Sequence, residues 1–484
     1  MADNGSASPL KAVGQAYALP GATSALVLLL CINLFNFMDR QVLSAVEPEI
    51  REHILEKKIS ETKSSPAAKE LQESQADGGE EESLVKFWSG LLVFAFLITY
   101  MFLAPVFGWL ADHVSRWLLV GFGVIIWSIA SAASGFDWVA WFGVSLGAAY
   151  WLLFATRCLV GFGEAAYGPV APAMISDLYP VEQRGKVMSW FYMAIPVGGA
   201  LGFTLGDLML AENGGPGWRW AFYAVMPPGI LLGLLCFFRK ELPRGQVDAQ
   251  QREERTEENP SRPAVRKAKL RDYLVLLKIR SYMLNVVGMT CLMFAIGGLA
   301  HWMPELLEQR SEEEFGPLPP RMVFGLIVAG GGFIATLLGG IAGDYFRQFH
   351  SGAYFLVSAA AMILGFPMII IALYVPFPWA WLFIFFGTFG LFFNTAPTNT
   401  INANVTHPSI RASAFGFNIL VTHLLGDAIS PAIIGLVQDY SNLNMGFIVV
   451  ASSMLVGGIF WIWGAFYLGK DTQLAPTRLS LEES

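Results

Sequence analysis

The sequence Gly108-Trp-Leu-Ala-Asp112 recurs 232 residues later as Gly340-Ile-Ala-Gly-Asp344. A second pair of motifs has nearly the same offset, because Pro180-Val-Glu-Gln-Arg184 is echoed by Pro408-Ser-Ile-Arg411. A single G-x-x-x-D pattern has little specificity. Two unlike motifs that recur at almost one offset indicate that the chain is built from two similar halves, each carrying both motifs in the same order.

The composition excludes an ordinary soluble protein. Of 484 residues, 54% are hydrophobic and 14% are charged, where about 25% charged residues is usual. The mean hydropathy is +0.50. So much apolar surface requires the lipid bilayer as its solvent. The four cysteines stand alone in apolar stretches, which predicts neither a disulfide framework nor a metal site. They are Cys31, Cys158, Cys236 and Cys291.

The apolar stretches predict an all-α membrane protein with twelve transmembrane helices, because about 20 apolar residues are needed to cross a bilayer. The predicted spans are 23–48, 87–110, 117–136, 146–178, 186–210, 219–238, 281–304, 321–346, 352–375, 379–404, 412–437 and 443–469. The stretch 137–179 is too long for one span, so its first part is expected to lie at the membrane interface.

The distribution of Lys and Arg predicts the orientation, since short cytoplasmic loops are enriched in them. The even-numbered short loops and the tails carry Lys11, Arg116, Arg184, Lys186, Arg347, Arg411, Lys470 and Arg478, whereas the odd-numbered ones carry Arg219, Arg310 and Arg321. Both termini are therefore expected in the cytoplasm. The predicted organisation is a tail (1–22), a six-helix bundle (23–238) with an acidic external loop (49–86), a cytoplasmic linker (239–280), a second bundle (281–469) and a tail (470–484).

Two parallel six-helix repeats around a midplane cavity are typical of transporters, and the pattern resembles the major facilitator superfamily. In that superfamily the repeated motifs form a cytoplasmic latch that stabilises the outward-open state. Here Asp112 is expected to cap a neighbouring helix, and Arg116 to pair with a carboxylate such as Asp177. Ordinary solvated loop charges are the alternative. The predicted latch residues are Gly108, Asp112, Arg116, Asp177, Arg184, Gly340 and Asp344.

Ionisable residues at membrane depth are costly and therefore mark functional sites by default. The first span carries Asp39 and Arg40, with Asn36 about one turn earlier. The fourth span carries Arg157 and Glu164 on one face, because seven residues make nearly two turns. One carboxylate on each helix could compete for the Arg157 guanidinium, which would make a proton switch. The alternative is a permanent structural ion-pair cluster.

The second half has no counterpart of these charges. Its eleventh span carries His423 and Asp427 one turn apart, and histidine can titrate near physiological pH. The tenth span carries Asn394 and Thr395 beside a row of phenylalanines, which either packs against other helices or lines an apolar half of a cavity. The phenylalanines are Phe385, Phe386, Phe389, Phe392 and Phe393.

Three strings resemble the Spinster family of lysolipid transporters. They are Arg157-Cys-Leu-Val-Gly-Phe-Gly-Glu164, then Phe191-Tyr-Met-Ala-Ile-Pro-Val-Gly-Gly199, and His423-Leu-Leu-Gly-Asp427-Ala-Ile-Ser-Pro. Asn36-Phe-Met-Asp39-Arg40 is similar to the family as well. Members move lysophospholipids or sphingosine 1-phosphate, with proton coupling. The resemblance implies that the functional ionisable residues are Asp39, Arg40, Arg157, Glu164 and His423.

The combined prediction is a secondary active transporter, not an enzyme, that moves an amphipathic lysolipid by alternating access with proton coupling. The proton-coupling residues are Asp39, Glu164, Arg157 and His423. The substrate-binding residues are Asn36, Arg40, Arg157, Tyr192, Asn394, Thr395 and His423. We expect a monomer in the plasma or inner membrane, with lipids and protons as partners, and neither cofactor, metal nor nucleic acid. The alternatives are proton antiport of a small organic anion or drug and, from another class, a membrane sensor or enzyme.

Overall fold

The computed structural model describes residues 18–50, 78–213, 217–241, 244–248, 268–310 and 313–481. Across these residues the regular structure is helical, and twelve helices are long and apolar enough to cross a membrane. Most of the predicted acidic loop (51–77), most of the linker and most of the N-terminal tail lie outside the described residues, and so does the end of the C-terminal tail.

The twelve spans are named α1 to α12 in chain order. They are α1 (Ala22–Ile50), α2 (Gly90–Ala111), α3 (Arg116–Ser134), α4 (Leu146–Leu178), α5 (Arg184–Ala211), α6 (Trp218–Phe237), α7 (Arg280–Gln309), α8 (Pro320–Arg347), α9 (Ala353–Tyr374), α10 (Ala380–Val405), α11 (Pro408–Tyr440) and α12 (Leu443–Thr477). Most bounds lie within three residues of the predicted ones. The exceptions are α11, which begins four residues earlier, and α7 and α12, which end five and eight residues later. The predicted all-α, twelve-helix fold is therefore confirmed.

Two helical features lie just before predicted spans, one before α4 and one before α2. A short separate helix, Trp138–Phe142, precedes α4, as expected for the overlong stretch 137–179. Asp137 caps this short helix by accepting a hydrogen bond from Ala140 N at 3.0 Å. The helix that contains α2 begins at Gly78, so residues 78–86 continue that helix although they were predicted to belong to the loop.

Small residues allow the helices of one half to approach closely. On α5, a methyl group added at Gly198 would lie 2.7 Å from the carbonyl oxygen of Leu34 on α1, and one added at Gly202 would collide with Met38 O. Such contacts drive helix association in lipid, where apolar burial alone gives no preference. The Gly-rich sequence after Pro196 therefore fixes the packing of α1 against α5.

The two halves meet along two helix pairs, α2 with α11 and α5 with α8. Gly416 of α11 lies against the backbone of Ala104 on α2, and Gly332 of α8 faces Pro196 of α5. The loops that follow the even-numbered spans α2, α4, α8 and α10 converge at one end of the molecule. We call this end the latch end, because both repeated motifs lie there.

Candidate functional site

At the latch end, the repeated aspartates cap helices of the opposite half. Asp112 accepts hydrogen bonds from the N–H groups of Ala412 (3.3 Å) and Ser413 (3.2 Å) and from the Ser413 hydroxyl (2.6 Å). Asp344 accepts hydrogen bonds from the N–H groups of Gly185 (3.0 Å) and Lys186 (2.7 Å). A carboxylate at a helix N-terminus satisfies backbone donors and complements the helix dipole. The G-x-x-x-D aspartate of each half therefore binds the start of the helix that follows the second motif of the other half.

The glycines of the motifs make this approach possible. A Cβ atom at Gly108 would lie 2.6 Å from Ala412 O, and one at Gly340 would lie 2.6 Å from the Ser189 side chain and closer still to Gly185 O. No side chain fits at either position while the opposite helix is in contact. The first residue of each G-x-x-x-D motif thus belongs to the same contact as its aspartate.

A continuous chain of buried charges joins the halves beside these caps. Arg116 donates to Asp177 at 2.6 Å, which is the predicted partner, and Asp177 also accepts from Arg411 of the second half. Arg411 donates at 2.7 Å to Asp248, which in turn pairs with Arg184. Arg184 reaches Asn404 of α10 at 3.0 Å. Alternating signs allow these groups to be buried together, whereas one of them alone would be very costly.

Two carboxylates in this chain come from the segment after α6, and sequence analysis missed both. Glu241 accepts from Arg116 Nε at 2.8 Å. Asp248 is 8% exposed and lies between Arg184 and Arg411. Burial opposes its ionisation, but the two guanidinium groups outweigh burial and lower the pKa of Asp248 below its ordinary value. The segment that connects the two halves therefore contributes directly to the contact between them.

Near the middle of the first half, Arg40 of α1 forms an ion pair with Glu164 of α4. Arg40 Nε donates to Glu164 Oε2 at 2.6 Å. The guanidinium also lies over three aromatic rings, those of Phe37, Phe96 and Tyr100, at 4.8 to 4.9 Å from their centroids. Glu164 is buried, but the Arg40 side chain retains 20% of its exposure. Arg40 is thus a cation at membrane depth that is neutralised on one side and accessible on another.

That Asp39 and Glu164 share Arg157 stays a prediction. Among the described residues no direct ion pair joins either carboxyl group to Arg157, although both are its electrostatic neighbours. Arg157 is buried and donates to the Ser134 hydroxyl, with Nε at 3.0 Å, and its guanidinium lies 5.1 Å from the centre of the Phe222 ring. Asp39 accepts a hydrogen bond from Ser131 of α3. Glu164 lies seven residues beyond Arg157, about 10 Å along the helix axis, and its direct partner is Arg40.

Both buried carboxyl groups keep one oxygen that has no hydrogen-bond partner among the described residues. These atoms are Oδ2 of Asp39 and Oε1 of Glu164, and Nδ2 of Asn36 shares this property. Burying a carboxylate without full pairing is costly, whereas a protonated carboxyl group avoids the charge. Among the described residues, Asp39 accepts one hydrogen bond, from a hydroxyl group, and forms no direct ion pair. Its compensation comes from Arg157 and Arg40 at longer range, whereas Glu164 has a direct partner in Arg40.

In the second half, His423 and Asp427 form the predicted pair, with His423 Nδ1 and Asp427 Oδ2 2.9 Å apart. They begin and end a single turn of π-helix in α11, a feature often found at functional sites. The His423 ring packs edge-on against Tyr100 of α2, with 5.5 Å between centroids. Since Tyr100 also contacts Arg40, it connects the charged pairs of the two halves. Sequence analysis missed Tyr100, whose only signal was a hydroxyl group in an apolar span.

The remaining predicted binding residues have different environments. Asn394 is buried and donates to Gly390 O of its own helix at 2.6 Å. Tyr192 and Thr395 are half-buried, and the Tyr192 ring packs against Phe191. The phenylalanines of α10 form a row, with successive centroid distances of 5.9 and 6.0 Å from Phe385 through Phe389 to Phe393. Their role in binding stays a prediction.

Comparison with known proteins places this architecture in a defined class. Residues 29–431 match the model of the Major Facilitator Superfamily. Among solved structures, the proton:xylose symporter XylE aligns with a TM-score of 0.68 at 16% identity, covering 91% of this chain and 95% of that one. A bacterial homolog of the human lysosomal transporter Spinster, in an inward-facing and unoccupied conformation, aligns with a TM-score of 0.54 at 18% identity, covering 94% and 98%. The chain is an integral, multi-pass transporter of this superfamily.

Two relatives of similar sequence indicate the family to which the chain belongs within this superfamily. Protein spinster homolog 1 of Homo sapiens is 33% identical over 489 residues, covering 95% of this chain and 84% of the relative. The sphingosine-1-phosphate transporter SPNS2 of Danio rerio is 31% identical over 419 residues, covering 81% and 79%. Within the superfamily, the chain belongs to the Spinster family, as the sequence motifs predicted.

The latch is expected to close more firmly in acid. Burial raises the pKa of Asp112 to about 7, against hydrogen bonds from Ser413 and the charge of Arg244, while Tyr273 is a further neighbour. If opening exposes Asp112 to water, its pKa returns toward about 3.9. The closed state then binds more protons between these values, so its advantage is full below about pH 4 and is lost as the pH rises through 7.

Spin labels at the exposed positions 186 and 349, on opposite halves, measure this equilibrium. The population with the closed distance should rise when the pH is lowered from about 8 to about 5.5, within the window set by the raised pKa of Asp112. Asp112→Asn should remove the part of this response that is due to Asp112 and should reduce transport while the protein stays folded. An identical pH response in the parent and the variant would show that Asp112 does not titrate with the latch.

Proposed function

We propose that this Spinster-family protein transports an anionic lysolipid, of the lysophospholipid or sphingosine 1-phosphate type, with proton coupling. The observation that carries the proposal is Arg40, a partly accessible guanidinium at membrane depth surrounded by Phe37, Phe96 and Tyr100. A guanidinium binds phosphate with bidentate geometry. The aromatic surroundings suit the apolar part of an amphipathic molecule. The relative named as a sphingosine-1-phosphate transporter supports the same substrate class.

Arg40 is a better candidate for the head-group ligand than Arg157. Arg157 is 2% exposed and already donates to Ser134, so a head group would have to displace protein contacts to reach it. Arg40 needs only to exchange Glu164 for the substrate phosphate, and both are anionic oxygen acceptors. We assign Arg157 a positioning role, as the donor to Ser134 and an electrostatic neighbour of Asp39. The acyl chain would extend toward the row of phenylalanines on α10.

Proton coupling follows from this exchange. When a phosphate takes the place of Glu164 on Arg40, the released carboxylate lies in a buried site without a cation and is driven to accept a proton. Asp39, whose one hydrogen-bond donor among the described residues is Ser131, is the second proton acceptor. His423 and Asp427 would sense the change through Tyr100. Substrate and proton are then coupled through a shared partner, with a coupling energy of about 1–3 kcal/mol.

In the proposed cycle, the described conformation is the state in which the latch end is closed. The excess of Lys and Arg at this end indicates that it faces the cytoplasm, so both termini would be cytoplasmic and the plasma or inner membrane is the expected site. The substrate would then reach Arg40 from the opposite side. Separation of the two motif pairs would open the latch end, and transport would proceed as a monomer.

Uptake into proteoliposomes tests the substrate class. Sphingosine 1-phosphate, a panel of lysophospholipids and a panel of small organic anions are compared with and without a pH gradient. Arg40→Lys keeps the charge but loses the bidentate geometry, so lysolipid uptake should fall about tenfold or more, equivalent to about 1.4 kcal/mol. Leu159→Met, on the exposed face of α4, is the matched control and should behave like the parent.

Each alternative has its own outcome in this assay. Uptake of small organic anions without lysolipids would replace the proposal by the anion or drug antiporter. Lysolipid uptake that Arg40→Lys leaves unchanged would remove Arg40 as the head-group ligand. Uptake that is insensitive to the pH gradient would remove the proton coupling.

A further inference from the structure

A short helix just before α7 presents an unusual combination of side chains to its surroundings. This segment, Leu270–Lys278, is a helix of the 3₁₀ type, and α7 begins at Arg280, two residues after its end. The segment therefore lies where the chain enters the membrane from the latch end. We refer to residues 269–280 as the entry segment.

The inner face of the entry segment is fixed to the protein. Val275 and Leu276 are buried in the hydrophobic core of the second half. Asp272, its one acidic residue, is buried as well and accepts a hydrogen bond from the Lys269 N–H at 2.6 Å, which closes the start of the helix. Of the charged side chains of the entry segment, the acid is buried and the exposed ones are all basic.

The outer face combines two exposed leucines with cations. Leu274 is 61% exposed and Leu277 is 53% exposed. Around them the side chains of Lys269, Arg271, Lys278 and Arg280 are all exposed. Exposing the leucines to water is unfavourable, and so is placing the cations in the apolar interior of a bilayer. A surface that offers acyl chains and phosphates at the same depth matches both.

The entry segment concentrates cations at one place on the latch end. The net charge of −7 does not oppose them, because a cluster of acidic residues lies in the predicted external loop 49–86, on the other side of the membrane, and charges separated by more than about 10 Å are largely screened. Attraction to anionic lipids must come from a segment in which cations are concentrated. We propose that the entry segment is a docking site for anionic phospholipids, with Leu274 and Leu277 among the acyl chains and the surrounding Lys and Arg side chains on the head groups.

Such docking would act close to the latch. Tyr273, in the middle of the entry segment, is a neighbour of Asp112 and Arg244. The carbonyl oxygen of Ala268, just before the segment, lies 3.2 Å from Nε2 of His113, in the loop after α2. A bound lipid therefore holds a helix that packs beside the α2–α11 contact.

Native mass spectrometry of the full chain in detergent tests the site. The protein is titrated separately with phosphatidylglycerol, phosphatidylcholine and inorganic phosphate. The parent should retain phosphatidylglycerol several-fold more than phosphatidylcholine. Arg271→Gln with Lys278→Gln should abolish this preference. Lys186→Gln with Lys240→Gln removes the same charge from exposed positions at the same end and should leave the preference intact.

The apolar contribution has a separate test. Leu274→Gln with Leu277→Gln should also lower phosphatidylglycerol retention, because the acyl contact is lost while the cations remain. Three results would overturn the proposal: equal retention of phosphatidylglycerol by the two charge variants, equal retention of the two lipids by the parent, or displacement of phosphatidylglycerol by inorganic phosphate. The last result would identify a site for free anions. None of these readouts depends on transport.

Discussion

Replacing Glu164 by glutamine is expected to reduce gradient-driven lysolipid uptake about tenfold or more while exchange of substrate across the membrane persists. In the proposed mechanism, the substrate phosphate competes with Glu164 for Arg40, and the Glu164 carboxylate takes a proton when the phosphate displaces it. Glutamine neither competes as an anion nor binds a proton. The variant should therefore bind the head group at least as well as the parent but release it without coupling. A coupling energy of about 1–3 kcal/mol corresponds to a 5- to 150-fold effect.

The measurement separates coupling from folding and binding. Uptake with a pH gradient, counterflow exchange without one, and substrate affinity are determined on the same proteoliposomes. Glu308→Gln, which removes an exposed carboxylate that pairs with Arg321 of the same half, is the matched control and should leave all three near the parent's values. If Glu164→Gln retains the parent's pH dependence, Glu164 carries no coupled proton. If Asp39→Asn also retains it, the proton switch is absent.

The fold follows from the sequence because its signals are long and repeated. Apolar spans of about 20 residues cannot be satisfied outside a bilayer, so their number and bounds are fixed by length and composition. The repeated G-x-x-x-D motif also predicted a contact, the capping of a neighbouring helix by Asp112. The sequence alone did not reveal that this helix is α11 of the opposite half, since the pairing of distant helices depends on tertiary packing.

The sequence predicted which ionisable residues lie at membrane depth, but it did not predict which carboxylate pairs with which guanidinium group. Asp39, Arg40, Arg157 and Glu164 were recognisable because charge at membrane depth is costly. Which carboxylate meets which guanidinium depends on the rotation of α1 and α4 about their axes, and a helical repeat fixes only the relative positions on one helix. Tyr100 was missed for a related reason. A tyrosine in an apolar span is common, and its role between Arg40 and His423 arises from the contact of α2 with α11.

The role of Asp248 is the feature of the site that the sequence predicted least. It lies in a polar linker where acids and bases are frequent, so its residue type carries no information. Only the folded chain places it between Arg184 and Arg411. These two arginines are 1% and 2% exposed and belong to opposite halves. Asp248 is therefore a carboxylate of the linker that holds two buried cations of different halves side by side, as Asp177 does for Arg116 and Arg411.

Asp248→Asn is expected to open the latch end. Arg411 keeps Asp177 as a partner, but Arg184 is left with neutral acceptors, Asn404 at 3.0 Å and Tyr179 O at 3.1 Å. Leaving a buried charge without its partner costs about 3–5 kcal/mol. Separation of the halves relieves this cost because water can reach Arg184. The closed state should therefore lose most of its population, while each bundle remains folded because its own apolar core is unchanged.

The spin labels at positions 186 and 349 report this change as a loss of the closed distance in favour of a longer one. Asp248→Glu retains the charge and should keep a substantial closed population. Glu308→Gln removes an exposed carboxylate paired within one half and should keep the parent's distribution. The pH response gives a further distinction. The pKa of Asp248 is lowered in the closed state, so its contribution is present above about pH 4 and is lost only in stronger acid. Acidification to about pH 5.5 should therefore not mimic Asp248→Asn. A closed distance that persists in Asp248→Asn would mean that the caps of Asp112 and Asp344 hold the halves together without the charge chain.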